Sequence, residues 1–173
     1  AVKPRDGELW VTNGRINEVW QSGFDDMERR PYITQRWPYN FIEIHPDDAR
    51  ARGIESGDMV AIENDKVLVQ TGSYLGVDER ELTFTELMKA GHIKTTTGSF
   101  TSVAIVTDAV RRGVAFTNFI WPGSPANSIV PRVPDPVTNR YRFKLGKGRI
   151  TKIGESAYKH SYMAMSFAPR PIT

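Results

Sequence analysis

The residues of this chain best placed to do chemistry are Thr12-Asn13-Gly14-Arg15, a polar corner that follows the apolar run ending at Val11. A glycine lets the backbone approach a ligand closely or turn through positive φ. Arg15 puts a guanidinium beside that corner, and a guanidinium can grip an anion through two parallel hydrogen bonds. The corner can therefore present amides and a cation to a phosphate-like group. It also fits an ordinary strand-to-helix turn with a solvated arginine, and spacing alone does not separate the two readings. A short amphipathic stretch follows, with Ile16, Val19 and Trp20 on one side.

Other chemistries find little support. His45, His92 and His160 are far apart and lack the spacing of metal ligands. Leu145-Gly146-Lys147-Gly148-Arg149 lacks the Gly-x-x-x-x-Gly-Lys-Ser/Thr pattern of a phosphate loop. Asp47-Asp48 suits the positive end of a helix. The 173 residues contain no cysteine, which excludes disulfides, cysteine-bound zinc and iron–sulfur clusters within this chain. The net charge of +3 is unevenly spread. Arg132, Arg140, Arg142, Lys144, Lys147, Arg149 and Lys152 face Asp135 alone. Such a run is either a solvated edge or a surface for phosphates, of a cofactor or of nucleic acid.

The elements that must position these residues are mostly short strands. Length suits one domain, and 39% hydrophobic with 25% charged residues suits a globular chain. No apolar run approaches the ~18 residues needed to span a bilayer. Strands are expected at Glu8–Thr12 and Asn40–His45. Pro46–Arg52 reads as a short helix, opened by Pro46, charged by Asp47 and Asp48, and closed by Gly53. Asp58–Glu63 and Lys66–Gln70 read as two strands of a hairpin joined at Asn64-Asp65. Residues 71–99 read as an insertion containing a helix at Leu82–Ala90; it is either a surface excursion or a contact to another domain or subunit. Phe100–Thr107, Val114–Phe119 and Gly148–Ile153 complete the expected strands.

The run Asn13-Gly14-Arg15-Ile16-Asn17-Glu18-Val19-Trp20-Gln21-Ser22-Gly23-Phe24-Asp25-Asp26 closely resembles the C-terminal region of arsenite oxidase large subunits. These are molybdopterin oxidoreductases of the dimethyl sulfoxide reductase family. Phe41–Ala49 followed by Gly53-Ile54-Glu55-Ser56-Gly57-Asp58-Met59-Val60 is similar to a second run of that family. Gly113–Phe119, Pro125–Val130 and Tyr141–Lys144 look like three further motifs of the family, and the parent implied resembles arsenite oxidase or its iodate reductase relatives, oxidising arsenite or turning over a related oxyanion by oxygen-atom transfer. The resemblance is dense over residues 8–65 and thinner over 108–153.

The resemblance implies a mainly β fold, a six-stranded double-psi β-barrel with a few short helices. It implies that the chain is the cofactor-binding C-terminal domain of a larger polypeptide, which also agrees with a first residue that is not Met and with no signal peptide. The cofactor implied is molybdopterin guanine dinucleotide, with molybdenum or tungsten held by the parent enzyme. Carried over by motif, cofactor contacts fall on Asn13, Gly14, Arg15, Trp20, Gln21, Asn127 and Lys144, and a place on the substrate funnel falls on Phe119. Gln21 stands where relatives often have His, so no titratable group is available there. An asparagine amide can read a donor–acceptor edge, and a lysine offers a point charge to a phosphate or carbonyl. The resemblance further implies a Rieske-type small subunit, a periplasmic location, and no activity for this domain alone. The rival is a free-standing barrel that binds nucleic acid or protein; Tyr141 and Phe143 are few aromatics for stacking on bases.

Overall fold

The computed structural model describes residues 3–17, 19, 30–71, 83–134 and 140–160. Six strands, β1 (Glu8–Gly14), β2 (Phe41–Ile44), β3 (Asp58–Gln70), β4 (Ile93–Val106), β5 (Val114–Asn118) and β6 (Leu145–Glu155), close into one barrel. Around the barrel the order is β1-β5-β2-β4-β3-β6. The pairs β1/β5 and β2/β4 are parallel and the remaining pairs antiparallel, in agreement with the expected double-psi barrel. Within the closed barrel every strand has a neighbour on both sides.

Two-residue alternation builds the interior. Leu9 and Val11, Ile42 and Ile44, Val60 and Ile62, Phe100 and Ala104, with Ala115 and Ile150, meet in one buried cluster. The intervening residues Phe41, Val103 and Ile105 face outward into a second cluster with Trp37 and Trp121. Gly148 allows β6 to press against β3: an added Cβ would lie 2.9 Å from the Glu63 carbonyl oxygen and 3.1 Å from the Ile62 side chain. Gly148→Val is therefore expected to cost about 1–3 kcal/mol by overpacking, read as a lower urea midpoint; an unchanged midpoint would contradict this packing.

Three short helices decorate the barrel: α1 (Pro31–Arg36), α2 (Pro46–Arg50) and α3 (Phe84–Lys89). The expected helix after Pro46 is present. His45 caps it, its Nδ1 accepting from the Asp47 amide at 3.2 Å. Gly53 follows at φ +61°, a conformation that favours glycine. Asp48 also reaches out of the helix: its carboxylate accepts from the Gly113 amide at 2.6 Å and ties α2 to the turn before β5.

The expected hairpin at Asn64-Asp65 is corrected by the structure. Asp58–Gln70 is one strand, and both of its halves pair with β4, with a register shift between Asn64 and Val67. The Asn64 side chain accepts from the Lys66 amide at 3.0 Å, so the turn-forming residue makes a bulge instead of a reversal. The true return strand is β4, which starts at Ile93 and takes in the polar Thr95-Thr96-Thr97 run. Beyond the bulge the two strands project as an arm. The helix α3 packs on it through Leu87, which meets Ile93, Leu68 and Val133. A reciprocal capping box between Thr83 and Glu86 opens α3. Among the described residues, no helix is long and apolar enough to cross a membrane.

Candidate functional site

The parallel strands β1 and β5 end side by side, with Gly14 opposite Asn118. At this end the start of β6 and the 3-10 helix Ala126–Ile129 join them. Asn13 is the hub. It is buried at 5% exposure, an unusual place for an amide, and both its backbone and side-chain N–H groups are used. Its backbone N–H donates to the Lys144 carbonyl at 3.1 Å. Its side-chain Nδ2 donates to the Phe143 carbonyl at 2.9 Å and, more weakly, to Asn127 Oδ1 at 3.4 Å. Thr12 Oγ1 donates to the Lys144 carbonyl at 3.2 Å. The structure thus brings Asn13, Asn127 and Lys144 together from three distant parts of the chain.

Gly14 does not make the positive-φ turn. Its φ is not in the positive range, and an added Cβ would lie 2.9 Å from the Phe116 ring. Its carbonyl accepts from the Phe119 amide at 3.1 Å, which places Phe119, half-buried, at the rim just past β5. Arg15 follows with its side chain exposed. Trp20, Gln21 and the paired Asp25-Asp26 lie outside the described residues.

Asn127 is exposed, and its oxygen is held by Asn13, so its NH2 group is available to donate. Arg140, Tyr141, Arg142, Phe143 and Lys144 form a continuous exposed segment at the same end. The donor set is therefore one amide, exposed cations, backbone polar groups and aromatic faces. It fits an anionic ligand with a donor–acceptor ring edge, such as a dinucleotide. Among the described residues there is no cluster of His, Asp or Glu able to hold a metal ion. Any metal would arrive on the ligand or sit on groups outside these residues.

Sequence reasoning missed the residues that hold the loops. Asn40, fully buried, donates to the Ser124 carbonyl at 3.0 Å and accepts from the Phe41 amide at 2.9 Å. Ser124 Oγ accepts from the Thr101 amide at 3.1 Å and donates to the Thr101 carbonyl. Nothing in the local sequence distinguishes these from solvated turn residues. The basic 132–152 stretch is also divided. Lys147 is buried against Glu8 at 2.8 Å, and Lys152 pairs with the fully buried Asp58 at 2.9 Å. Both cations are paired to carboxylates of the barrel, Lys147 buried and Lys152 exposed.

The described residues thus form a closed barrel with an amide-and-cation corner at one end. The family model for the molydopterin dinucleotide binding domain matches residues 9–72 and 92–146, and the chain belongs to that family. Iodate reductase subunit IdrA of Denitromonas iodatirespirans is 59% identical over 174 residues, 99% of this chain and 19% of that protein. The same subunit from Pseudomonas sp. (strain SCT) is 58% identical over the same share. Arsenite oxidase subunit AioA of Herminiimonas arsenicoxydans is 41% identical over 58 residues, 34% of this chain and 7% of that protein. Acetylene hydratase from Pelobacter acetylenicus, a solved structure, aligns over 83% of this chain and 18% of its own, at TM-score 0.48 and 13% identity. The chain spans about a fifth of the length of the iodate reductase subunits it matches.

Proposed function

We propose that this chain is the domain that holds molybdopterin guanine dinucleotide in a larger oxidoreductase that turns over an oxyanion, iodate before arsenite. The observation that carries the choice is the extent of identity. The iodate reductase subunits match through residues 73–91, which the family model leaves out, whereas the arsenite oxidase match covers a third of the chain. When bound, the metal of the cofactor supplies two-electron oxygen-atom transfer; the protein supplies binding and orientation. Asn127 donates to the pterin or guanine edge. Arg15 and Lys144 neutralise the diphosphate, and Asn13 and Gly14 set the backbone against which it lies. Trp20 and Gln21 belong to the same segment, and Phe119 lines the approach to the metal. Upstream domains of the same polypeptide complete the site, and a Rieske-type small subunit in the periplasm exchanges electrons with it.

The test is made on the native polypeptide: intact mass, molybdenum, tungsten and acid-released GMP per chain, then turnover of iodate and arsenite. A large chain with one metal, two GMP and iodate turnover is the expected result. A chain of this size with neither metal nor GMP would sink the reading. The nucleic-acid rival would then predict steeply salt-dependent oligonucleotide binding, but Lys147 and Lys152 are already paired within the barrel wall. In the full-length polypeptide, Arg15→Ala is expected to lower GMP per chain about tenfold, the order expected for losing one charge-assisted bond. The barrel should melt as before, because Arg15 is exposed. GMP content equal to the unmutated protein would remove Arg15 from the site.

A further inference from the structure

We propose that Asn64 is a positioning residue for Asn127, acting through the 3-10 helix Ala126–Ile129 at the point where the β3–β4 arm leaves the barrel. The inference rests on the reading that Asn127 touches the cofactor. Asn127 sits on a helix of four residues, too short to hold its own position. That helix is clamped from three strands. From β3, Asn64 Nδ2, buried at 3% exposure, donates to the Ile129 carbonyl at 2.9 Å. From β4, Ser128 Oγ donates to the Ser99 carbonyl at 2.7 Å. Gly98, the cross-strand partner of Asn64, lies directly under the helix: a Cβ there would collide with the Ser128 carbonyl. From β6, a Cβ on Gly146 would lie 3.2 Å from Ile129.

Asn64 is also where the register shifts. Its Oδ1 accepts from the Lys66 amide, so one side chain fixes both the bulge and the 3-10 helix. Past that bulge the chain leaving the helix follows the arm: the Arg132 amide donates to the Leu68 carbonyl at 2.7 Å, and the Gln70 amide donates to the Arg132 carbonyl at 3.3 Å. Val133 enters the small core under α3. The arm carries the segment that the family model omits between residues 72 and 92. The residues that hold the 3-10 helix, Asn64, Gly98, Ser99 and Gly146, themselves lie within the matched ranges, at the base of that arm.

The test is a double-mutant cycle in the full-length polypeptide, read as GMP retained per chain after gel filtration, with the melting temperature measured alongside. Asn64→Asp keeps the acceptor for the Lys66 amide and removes the donor to Ile129. It is expected to lower retention about fivefold, and Ser128→Ala about twofold. In the Asn127→Ala background both effects should vanish, because residues acting through one contact are not additive. In the Asn64→Asp variant alone, retention should recover as pH falls, since a protonated carboxyl can again donate to the Ile129 carbonyl. A merely structural role would instead lower the melting temperature and add in full to the loss from Asn127→Ala. Full additivity, or unchanged retention in Asn64→Asp while Asn127→Ala loses cofactor, overturns the proposal and leaves the role of Asn127 intact. Unchanged retention in Asn127→Ala overturns the role of Asn127 itself and this proposal with it. If Asn64→Asp does not fold, Ser128→Ala reads the same coupling.

Discussion

Asn127→Ala, made in the full-length polypeptide, should lower GMP per chain about tenfold and leave barrel stability within about 0.5 kcal/mol, the usual range for an exposed substitution. The asymmetry follows from its surroundings. Asn127 is exposed, and among the described residues its side chain bonds Asn13 through one long contact, so the folded state loses little. A ligand edge that relies on its NH2 group loses a donor and leaves its own acceptor unmatched in a confined site, which costs more than the net value of one bond. Asn13→Ala is the informative contrast. Asn13 is buried and bonds Phe143 as well as Asn127, so its removal frees the start of β6 and leaves carbonyls without a partner. It should lose cofactor to a similar degree and also cost about 1–3 kcal/mol of stability. Equal stability losses for the two variants, or a loss of GMP in neither, would show that this junction does not bind the cofactor.

That junction was legible only in part from the amino-acid sequence. Asn13 and Asn127 are 114 residues apart, and no local periodicity connects them. Only motif resemblance implies a shared role for them, and the fold supplies the contact. The barrel strands were readable because alternation is enforced wherever one face is buried, as in Leu9-Trp10-Val11 and Met59-Val60-Ala61-Ile62. Legibility failed where that condition lapses. In the arm, Lys94–Thr97 are all exposed, so the beginning of β4 carries no alternation and reads as loop. The Asn64-Asp65 pair has the composition of a reversal, but side-chain bonds to Lys66 and Ile129 turn the same residue type into a bulge. The helix α1 is not legible because it has six residues and its N-cap residue, Arg30, makes no side-chain capping bond. The basic 132–152 run was readable as charge but not as partition. Which of its cations are paired depends on carboxylates at positions 8 and 58, which only the barrel's closure brings to β6.

Lys147→Met should destabilise the barrel by about 3 kcal/mol, and the acid sensitivity of the fold should trace to its partner. Glu8 and Lys147 form an ion pair at 2.8 Å, with side-chain exposures of 2% and 7%. Removing one member of a buried pair costs about 3–5 kcal/mol, because the remaining charge stays desolvated. The lower end applies because Arg5 still bonds both Glu8 oxygens, at 2.7 Å from its amide and 2.6 Å from its guanidinium. Burial alone would raise the pKa of Glu8. The bonds from Arg5 and Lys147 outweigh it and lower the pKa from the ordinary 4.5 to about 2. A carboxylate with a depressed folded pKa stabilises the fold fully above its unfolded value and loses that contribution as pH falls. The Glu8 contribution is thus complete above about pH 4.5 and disappears towards pH 2, and its upper limit is about 3 kcal/mol. Glu43 works in the opposite direction. Half-buried on the outer face, opposite Ile105 and Phe116, its pKa is raised by desolvation, so it favours the fold at low pH and opposes it as pH rises. The check is urea unfolding at pH 6 and pH 3 for the unmutated chain and for Glu8→Gln. The unmutated chain should lose the larger amount of stability between the two, and Glu8→Gln, already weaker at pH 6, should lose less. Equal losses would mean that Glu8 is not the group through which acid unfolds this barrel.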